Sequence, residues 1–182
     1  MALSLTLSLS CSPATERYGV DLSGRPVSDL GGPGIHFVVL VFAATDCPIS
    51  NRYVPEIARL NREFSPQGVR FWWVFPNPSD NAKLVSQHKK DFAIHENSLL
   101  DVFQATTKRA NATITPEAAV FTAGMHEVYH GRIDDRYLDI GRERPQAGHH
   151  DLEAAISAAL AGKPVPPPGG PPVGCSIVFL QK

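Results

Sequence analysis

Cysteine is scarce: three in 182 residues, at positions 11, 47 and 175. That is too few for a disulfide scaffold, and one thiol is left over whichever pair forms. Each cysteine is therefore a candidate for chemistry. An excess of charge of one sign is also missing. Seventeen Lys and Arg against eighteen Asp and Glu give a formal net charge of −1. Without a basic surplus, nucleic acid is not an expected partner. No apolar run approaches the roughly 18 residues of a membrane helix, so a membrane-spanning chain is not expected. What is present is ordinary: 43% hydrophobic and 19% charged residues, the composition of a folded globular domain. The length fits one domain with appendages. Proline is abundant at 16 residues, but it is concentrated between Pro164 and Pro172.

The first ten residues, MALSLTLSLS, carry no Lys or Arg ahead of the apolar positions, which argues against a secretory leader with Cys11 as a lipid-attachment site. Leu3, Leu5, Leu7 and Leu9 alternate with Ser and Thr. Period two predicts a half-buried strand. If an export signal has been removed upstream, the protein is expected outside the cytoplasm, and otherwise inside it.

From residue 18 onward, strands and helices alternate. Residues 18–22 and 26–28 flank Ser23-Gly24-Arg25 and predict a hairpin. Residues 35–44 (IHFVVLVFAA) are almost wholly apolar, as a strand covered on both faces should be. Ile49, Tyr53, Ile57 and Leu60 recur at helical spacing over residues 48–64, with Pro55 expected to kink that helix. Residues 69–75 predict a second apolar strand. Ser79 is the expected cap of a helix running to about Phe92, and a short helix is expected after Asp101. Residues 118–122 and 127–133 predict a hairpin around Ala123-Gly124. A last helix spans about 150–161, stopped by Gly162. Residues 164–172 are expected to be extended and polyproline-like, and 176–180 a final strand. Alternation of this kind implies an α/β fold with a central mixed sheet flanked by helices, with extra terminal strands. The organisation read from it is an N-terminal strand extension over 1–17, a main domain over 18–162, and a Pro-rich tail with a terminal strand over 163–182.

Thr45-Asp46-Cys47-Pro48-Ile49-Ser50 places a cysteine where an apolar strand ends and a helix begins. Unpaired N–H groups and the positive end of the helix dipole converge there. Both favour a thiolate and lower a cysteine pKa. Pro48 fits the first helical position. Ser50 lies one turn on, where its hydroxyl can donate to the sulfur. The bland alternative is a small apolar residue in a turn.

Taken in order, these landmarks resemble the thioredoxin-like superfamily of redoxin type, which includes membrane-anchored thiol–disulfide oxidoreductases and peroxiredoxins. Cys47 follows an apolar strand at a helix start, and Pro55 lies eight residues later, like the helix-kinking proline of thioredoxins. Leu99-Leu100-Asp101 resembles the family's short LLD element. Thr115-Pro116 stands where that family has its cis-proline, an ordinary trans proline opening an edge strand being the alternative, and the resemblance implies that Thr115 presents its backbone beside Cys47 to a partner strand. Residues 18–30 resemble the leading hairpin, and Gly124 with residues 127–131 the closing one. The likeness covers about residues 18–161. It implies a thiol-dependent oxidoreductase of the thiol–disulfide exchange or antioxidant (AhpC/TSA) type. Its partners would be a disulfide-containing protein or a peroxide, and an external thiol donor. No cofactor and no metal are implied.

The sequence departs from the family in instructive ways. The usual Cys-x-x-Cys ends here in Ser50, so Cys47 has no partner in its own turn. A peroxiredoxin would carry Pro and Thr where Leu40 and Ala44 stand, and an Arg near Ile114, Thr115 and Pro116. The segment 46–51 (DCPISN), the GRIDD segment at 131–135 and Gly174-Cys175 together resemble a bacterial subgroup of redoxin-domain proteins.

Cys175 is a candidate resolving thiol carried back to Cys47 by the Pro-rich tail. A Cys11–Cys175 bridge between two terminal strands is the competing pairing, and two unrelated thiols the third. Against the enzyme stands a redox-inactive binding module, or a metal- or copper-handling protein built on Cys47 and a histidine. His126 and His130 share a strand face. The charged segment 131–136 is expected to be a solvated turn held by ion pairs, with a rim of the Cys47 site as its alternative.

Overall fold

The computed structural model describes residues 17–181. The predicted strand at Leu3–Leu9, and Cys11, lie outside these residues.

A seven-stranded mixed sheet forms the centre. It contains β1 (Gly19–Val20), β2 (Pro26–Val27), β3 (Phe37–Phe42), β4 (Val69–Phe75), β5 (Asn97–Leu100), β7 (Glu117–Thr122) and β8 (Glu127–Gly131), in the order β2-β1-β5-β4-β3-β7-β8. β3 runs parallel to β4 and antiparallel to β7. Its central position explains its uninterrupted apolar sequence: alternate side chains enter two different cores. Val39 and Val41 pack with the long helix α1 (Pro48–Phe64) and with α4 (Asp151–Leu160). Val38, Leu40 and Phe42 face the opposite side, where Tyr18, Leu30, Phe121 and Ile177 join them. Each such fully buried side chain contributes about 1.5–3 kcal/mol.

The α1 helix buries Ile49, Tyr53, Val54, Ile57, Leu60 and Phe64, the stripe that helical spacing requires. The helix continues through Pro55. The next helix, α2 (Ala82–Asp91), is capped by Asn81, not by Ser79: the Asn81 side chain accepts from the amides of Lys83 and Leu84, both at 3.1 Å. Asn at this position satisfies two orphan donors that Ser79 is too far back to reach. The LLD element is the end of strand β5, and the short α3 (Ala105–Arg109) follows it.

The tail is where expectation and structure differ most. The predicted strand over 176–180 is reduced to β11 (Cys175–Ser176), paired antiparallel with β6 (Ile114–Thr115). Beyond it, side chains hold the chain in place of a sheet. The Val178 amide donates to Asn77 Oδ1 at 2.9 Å. Gln104 donates to the Val178 carbonyl at 2.7 Å and accepts from the Leu180 amide at 2.9 Å. A strand needs a neighbouring backbone edge, and past Ile177, whose amide bonds the Thr113 carbonyl at 2.9 Å, polar side chains take over that role. Residues 137–143, for which the sequence pattern predicts no element, form a hairpin of β9 (Tyr137–Asp139) and β10 (Arg142–Glu143), turning at Gly141 with φ +77°.

Candidate functional site: two thiols beneath a terminal strand

Cys47 is the N-cap of α1, with Pro48 in the first turn. Its amide donates to the Ala44 carbonyl at 3.1 Å, closing the turn that leaves β3. The preceding loop is pinned by Thr45, whose hydroxyl and amide both donate to Asp80 Oδ1, at 2.5 and 3.3 Å. Burial pushes the Asp80 carboxyl upward against those two donors. Cys47 itself is fully buried, with 0% of its surface exposed.

The thiol of Cys47 lies 3.0 Å from the Thr115 carbonyl and donates to it when protonated. The Thr115–Pro116 peptide is cis. Thr115 is in turn the register partner of Cys175 across the β6–β11 ladder, and its hydroxyl donates to the Cys175 carbonyl at 3.2 Å. One backbone residue thus touches both cysteines. Gly174 permits the approach. A Cβ there would stand 2.0 Å from the Thr115 oxygen, so only glycine lets the strand lie this close.

The two thiols respond to each other. Burial opposes ionisation of Cys47, but hydrogen bonds from the Cys175 thiol, from the Ser50 hydroxyl and amide, and from the Thr115 side chain outweigh it, and its pKa is lowered. The helix N-terminus acts in the same direction. Burial and the neighbouring Cys47 sulfur push the Cys175 thiol up to about 12, with Asp46 adding to the effect. The charge therefore belongs on Cys47 and the proton on Cys175. Among the described residues the buried Ser50 hydroxyl has no acceptor other than the Cys47 sulfur, and a thiolate there satisfies it.

Beside the cysteines lies a cavity of about 290 Å³, lined by Pro48, Ile49, Tyr137, Ile140, Gly174 and Cys175, with Arg52 and Glu143 at hydrogen-bonding distance of 2.6 Å from each other. Cys175 contributes to the wall, but Cys47 does not. Arg52, Tyr137, Ile140 and Glu143 were not legible as site residues. The available signal was Gly141, a turn glycine between Ile140 and Arg142, which marks the hairpin that builds the far wall.

The charged segment 131–136 is held by ion pairs, Arg132 to Asp151 at 2.9 Å and Asp135 to Arg144 at 3.6 Å, as expected, but it is not solvated. Asp134 and Asp135 are buried. Asp134 accepts from the Tyr53 hydroxyl and from the Arg136 amide; Asp135 accepts from the Gly148 and His149 amides. Their backbone donors fix the base of the β9–β10 hairpin. Nearby, Glu56, His150 and Glu153 gather within ligand distance of one another, but Arg59 is ion-paired to both carboxylates. His130 pairs with Glu117 at 2.8 Å. No helix among the described residues is long and apolar enough to cross a membrane.

No family model and no curated protein sequence matches the chain. Solved structures do. An uncharacterized conserved protein from Geobacillus kaustophilus is 25% identical, with a TM-score of 0.74 over 93% of this chain and 94% of that one. A hypothetical protein from Sinorhizobium meliloti 1021 is 22% identical, with a TM-score of 0.75 over 99% and 98%. The thioredoxin domain of a thiol-disulfide oxidoreductase from Bacteroides vulgatus is 16% identical, with a TM-score of 0.57 over 82% and 99%. The α/β architecture, with its central mixed sheet and flanking helices, is thus a thioredoxin-like fold.

Proposed function

We propose that the protein is a thiol–disulfide oxidoreductase whose exchanging pair is Cys47 and Cys175. The observation that carries this reading is Thr115 between the two cysteines: its carbonyl lies 3.0 Å from the Cys47 sulfur, and its hydroxyl donates to the Cys175 carbonyl at 3.2 Å across the β6–β11 ladder. The family's local Cys-x-x-Cys pair is replaced by one thiol on the helix and one on the tail. In the reduced protein Cys47 ionises more readily than Cys175, so exchange proceeds with the charge on Cys47 and the proton on Cys175. Oxidation by a disulfide removes two electrons from the pair and joins the two sulfurs, while the oxidant leaves as one thiolate and one thiol, the latter carrying the Cys175 proton. Ser50 and the first turn of α1 stabilise the thiolate, and Thr115 aligns both sulfurs. Disulfide-containing partners fit this chemistry, as they do the solved neighbours described as disulfide oxidoreductases. Peroxide consumption of the redoxin or AhpC/TSA type would use the same thiolate. Leu40 and Ala44 occupy the positions where that chemistry would place its Pro and Thr, so exchange is the preferred reading.

Non-reducing peptide mapping after oxidised-glutathione treatment tests the pair. A Cys47–Cys175 cross-linked peptide is expected. A Cys11–Cys175 peptide in its place removes the proposal. Cys47→Ser and Cys175→Ser should each abolish the cross-link and turnover. Ser50→Ala should shift the pH midpoint of Cys47 alkylation upward, because the thiolate loses a donor.

A further inference from the structure

In the reading above the two sulfurs are not equivalent towards solvent. Cys47 is wholly enclosed, whereas Cys175 is partly exposed and lines the cavity between the start of α1 and the β9–β10 hairpin. We propose that an external thiol meets the oxidised pair at Cys175, from this cavity, with Cys47 as the leaving group, and that this thiol is a small molecule with an apolar body. The inference rests on the Cys47–Cys175 pairing proposed above.

Three observations point to it. First, approach to Cys47 is blocked by the tail itself, because β11 lies along Thr115, and Gly174 sits against the Thr115 carbonyl. Second, an extended polypeptide would need that same backbone edge to add a strand, and β11 already holds it. The tail occupies the place of a substrate strand, and Cys175 the place of its cysteine. Third, the cavity has the chemistry of a small apolar site. Pro48, Ile49, Tyr137 and Ile140 line it, and among the described residues the full charges in its wall, Arg52 and Glu143, are ion-paired with each other. About 290 Å³ is at the lower end of small-ligand pockets.

The electron pairs balance. The incoming thiolate R–S⁻ bonds to Cys175 Sγ. The Cys47–Cys175 bond breaks, and its electron pair stays on Cys47 Sγ as a thiolate. A second R–S⁻ attacks the R sulfur of the mixed disulfide, releasing RSSR. Cys175 leaves as a thiolate and takes up a proton. Two thiols have become one disulfide, and the protein disulfide has become a thiolate and a thiol. A more oxidising disulfide returns the pair to its starting state by the reverse exchange. A stabilised thiolate leaves faster, which makes Cys47 the better leaving group of the two.

Full-length protein, oxidised and freed of excess oxidant, is mixed with one equivalent of benzyl mercaptan, 2-mercaptoethanesulfonate or a ten-residue peptide with one central Cys. Samples are quenched in acid within milliseconds and mapped. The expected adduct is on Cys175, with Cys47 free. Benzyl mercaptan should react at least about tenfold faster than either alternative when rates are expressed per thiolate, a difference of about 1.4 kcal/mol. Ile140→Asp, at an exposed position on the rim of the cavity, should reduce that preference several-fold. An adduct on Cys47, equal rates for the three thiols, or a peptide that reacts fastest overturns the inference while the redox pair stands. Failure to form any Cys47–Cys175 disulfide removes the pair and the inference together.

Discussion

Gly174 and Thr115 are in contact through backbone alone: a methyl group at residue 174 would overlap the Thr115 carbonyl oxygen, at 2.0 Å. Because Thr115 also accepts from the Cys47 thiol at 3.0 Å, this contact sets how far the tail cysteine stands from the helix cysteine.

Gly174→Ala should therefore push β11 off β6. Neither backbone can give way cheaply, and overpacking of this kind costs about 1–3 kcal/mol. The tail contributes Ile177 to one core and Val173 and Cys175 to the edge of the other, while the strands and helices of the main sheet supply the rest, so the fold should persist. Formation of the Cys47–Cys175 disulfide should slow by about tenfold or more, while Cys47 becomes easier to alkylate. Both are read by timed quenching and mass spectrometry. Disulfide formation at the wild-type rate would show that the spacing does not depend on Gly174.

Gln104 holds the far end of the tail. Fully buried and in the left-handed region at φ +55°, it donates to the carbonyls of Pro76 and Val178 and accepts from Leu180. Gln104→Ala removes all three bonds and leaves the Leu180 amide and the Val178 carbonyl to water. Hydrogen exchange at residues 178–180 should accelerate, and bulky maleimides should begin to modify Cys47, which the tail otherwise covers. The loss in global stability should be about 1–3 kcal/mol, the cost of broken buried hydrogen bonds. Unchanged exchange at these amides would mean that Asn77 alone anchors the segment.

The order of the main elements was legible because their signals are local. Residues 37–42 are apolar on both faces, and α1 has a clean apolar stripe with Pro48 at its start. The position of Cys47 followed from the same two elements. What was not legible depends on contacts distant in sequence. The tail is fixed by Asn77 and Gln104, each some seventy or more residues upstream, and neither residue advertises that role. The buried state of Asp134 and Asp135 depends on Tyr53 and on the amides of residues 148 and 149. A charged string reads as solvated until its donors are known. The β9–β10 hairpin is too short and too exposed for period two to reveal it.

His130 and Glu117 give a pH test independent of the cysteines. The hydrogen bond to Glu117 raises the His130 pKa against the cost of burial. Burial acts to raise Glu117, but the bonds from His130 and from the Thr113 and Ile114 amides lower it overall. A raised histidine contributes stability below its ordinary value of 6.5, and this is lost as pH rises through the folded value. A lowered carboxyl contributes above its ordinary 4.5, and this is lost as pH falls through the folded value. The pair should contribute most between those two ordinary values. Glu117→Gln should lower stability in that window by about 2 kcal/mol and flatten both limbs of a denaturation-midpoint profile against pH. A variant profile parallel to that of the wild type would show that the pair does not titrate as described.

Ser50→Cys sets the tail thiol against a local one. Residue 50 is buried one turn after Cys47, and a thiol there takes the place of a hydroxyl that already faces the Cys47 sulfur. Closing the four-residue loop 47–50 requires far less ordering than closing the 129-residue loop from 47 to 175 in an unfolded chain. In the folded protein, however, β11 has already brought Cys175 to Cys47, so loop length no longer decides and geometry does. The new cysteine lies on the same helical turn as Cys47 and does not depend on the tail. It should take over the disulfide, leaving Cys175 free to be alkylated. An exchange pair released from the tail should also reduce insulin disulfides faster than the parent protein. Peptide mapping of the oxidised variant reads the first outcome and turbidity the second. Persistence of the Cys47–Cys175 cross-link in Ser50→Cys would show that β11 holds its sulfur in better alignment than the helix turn can.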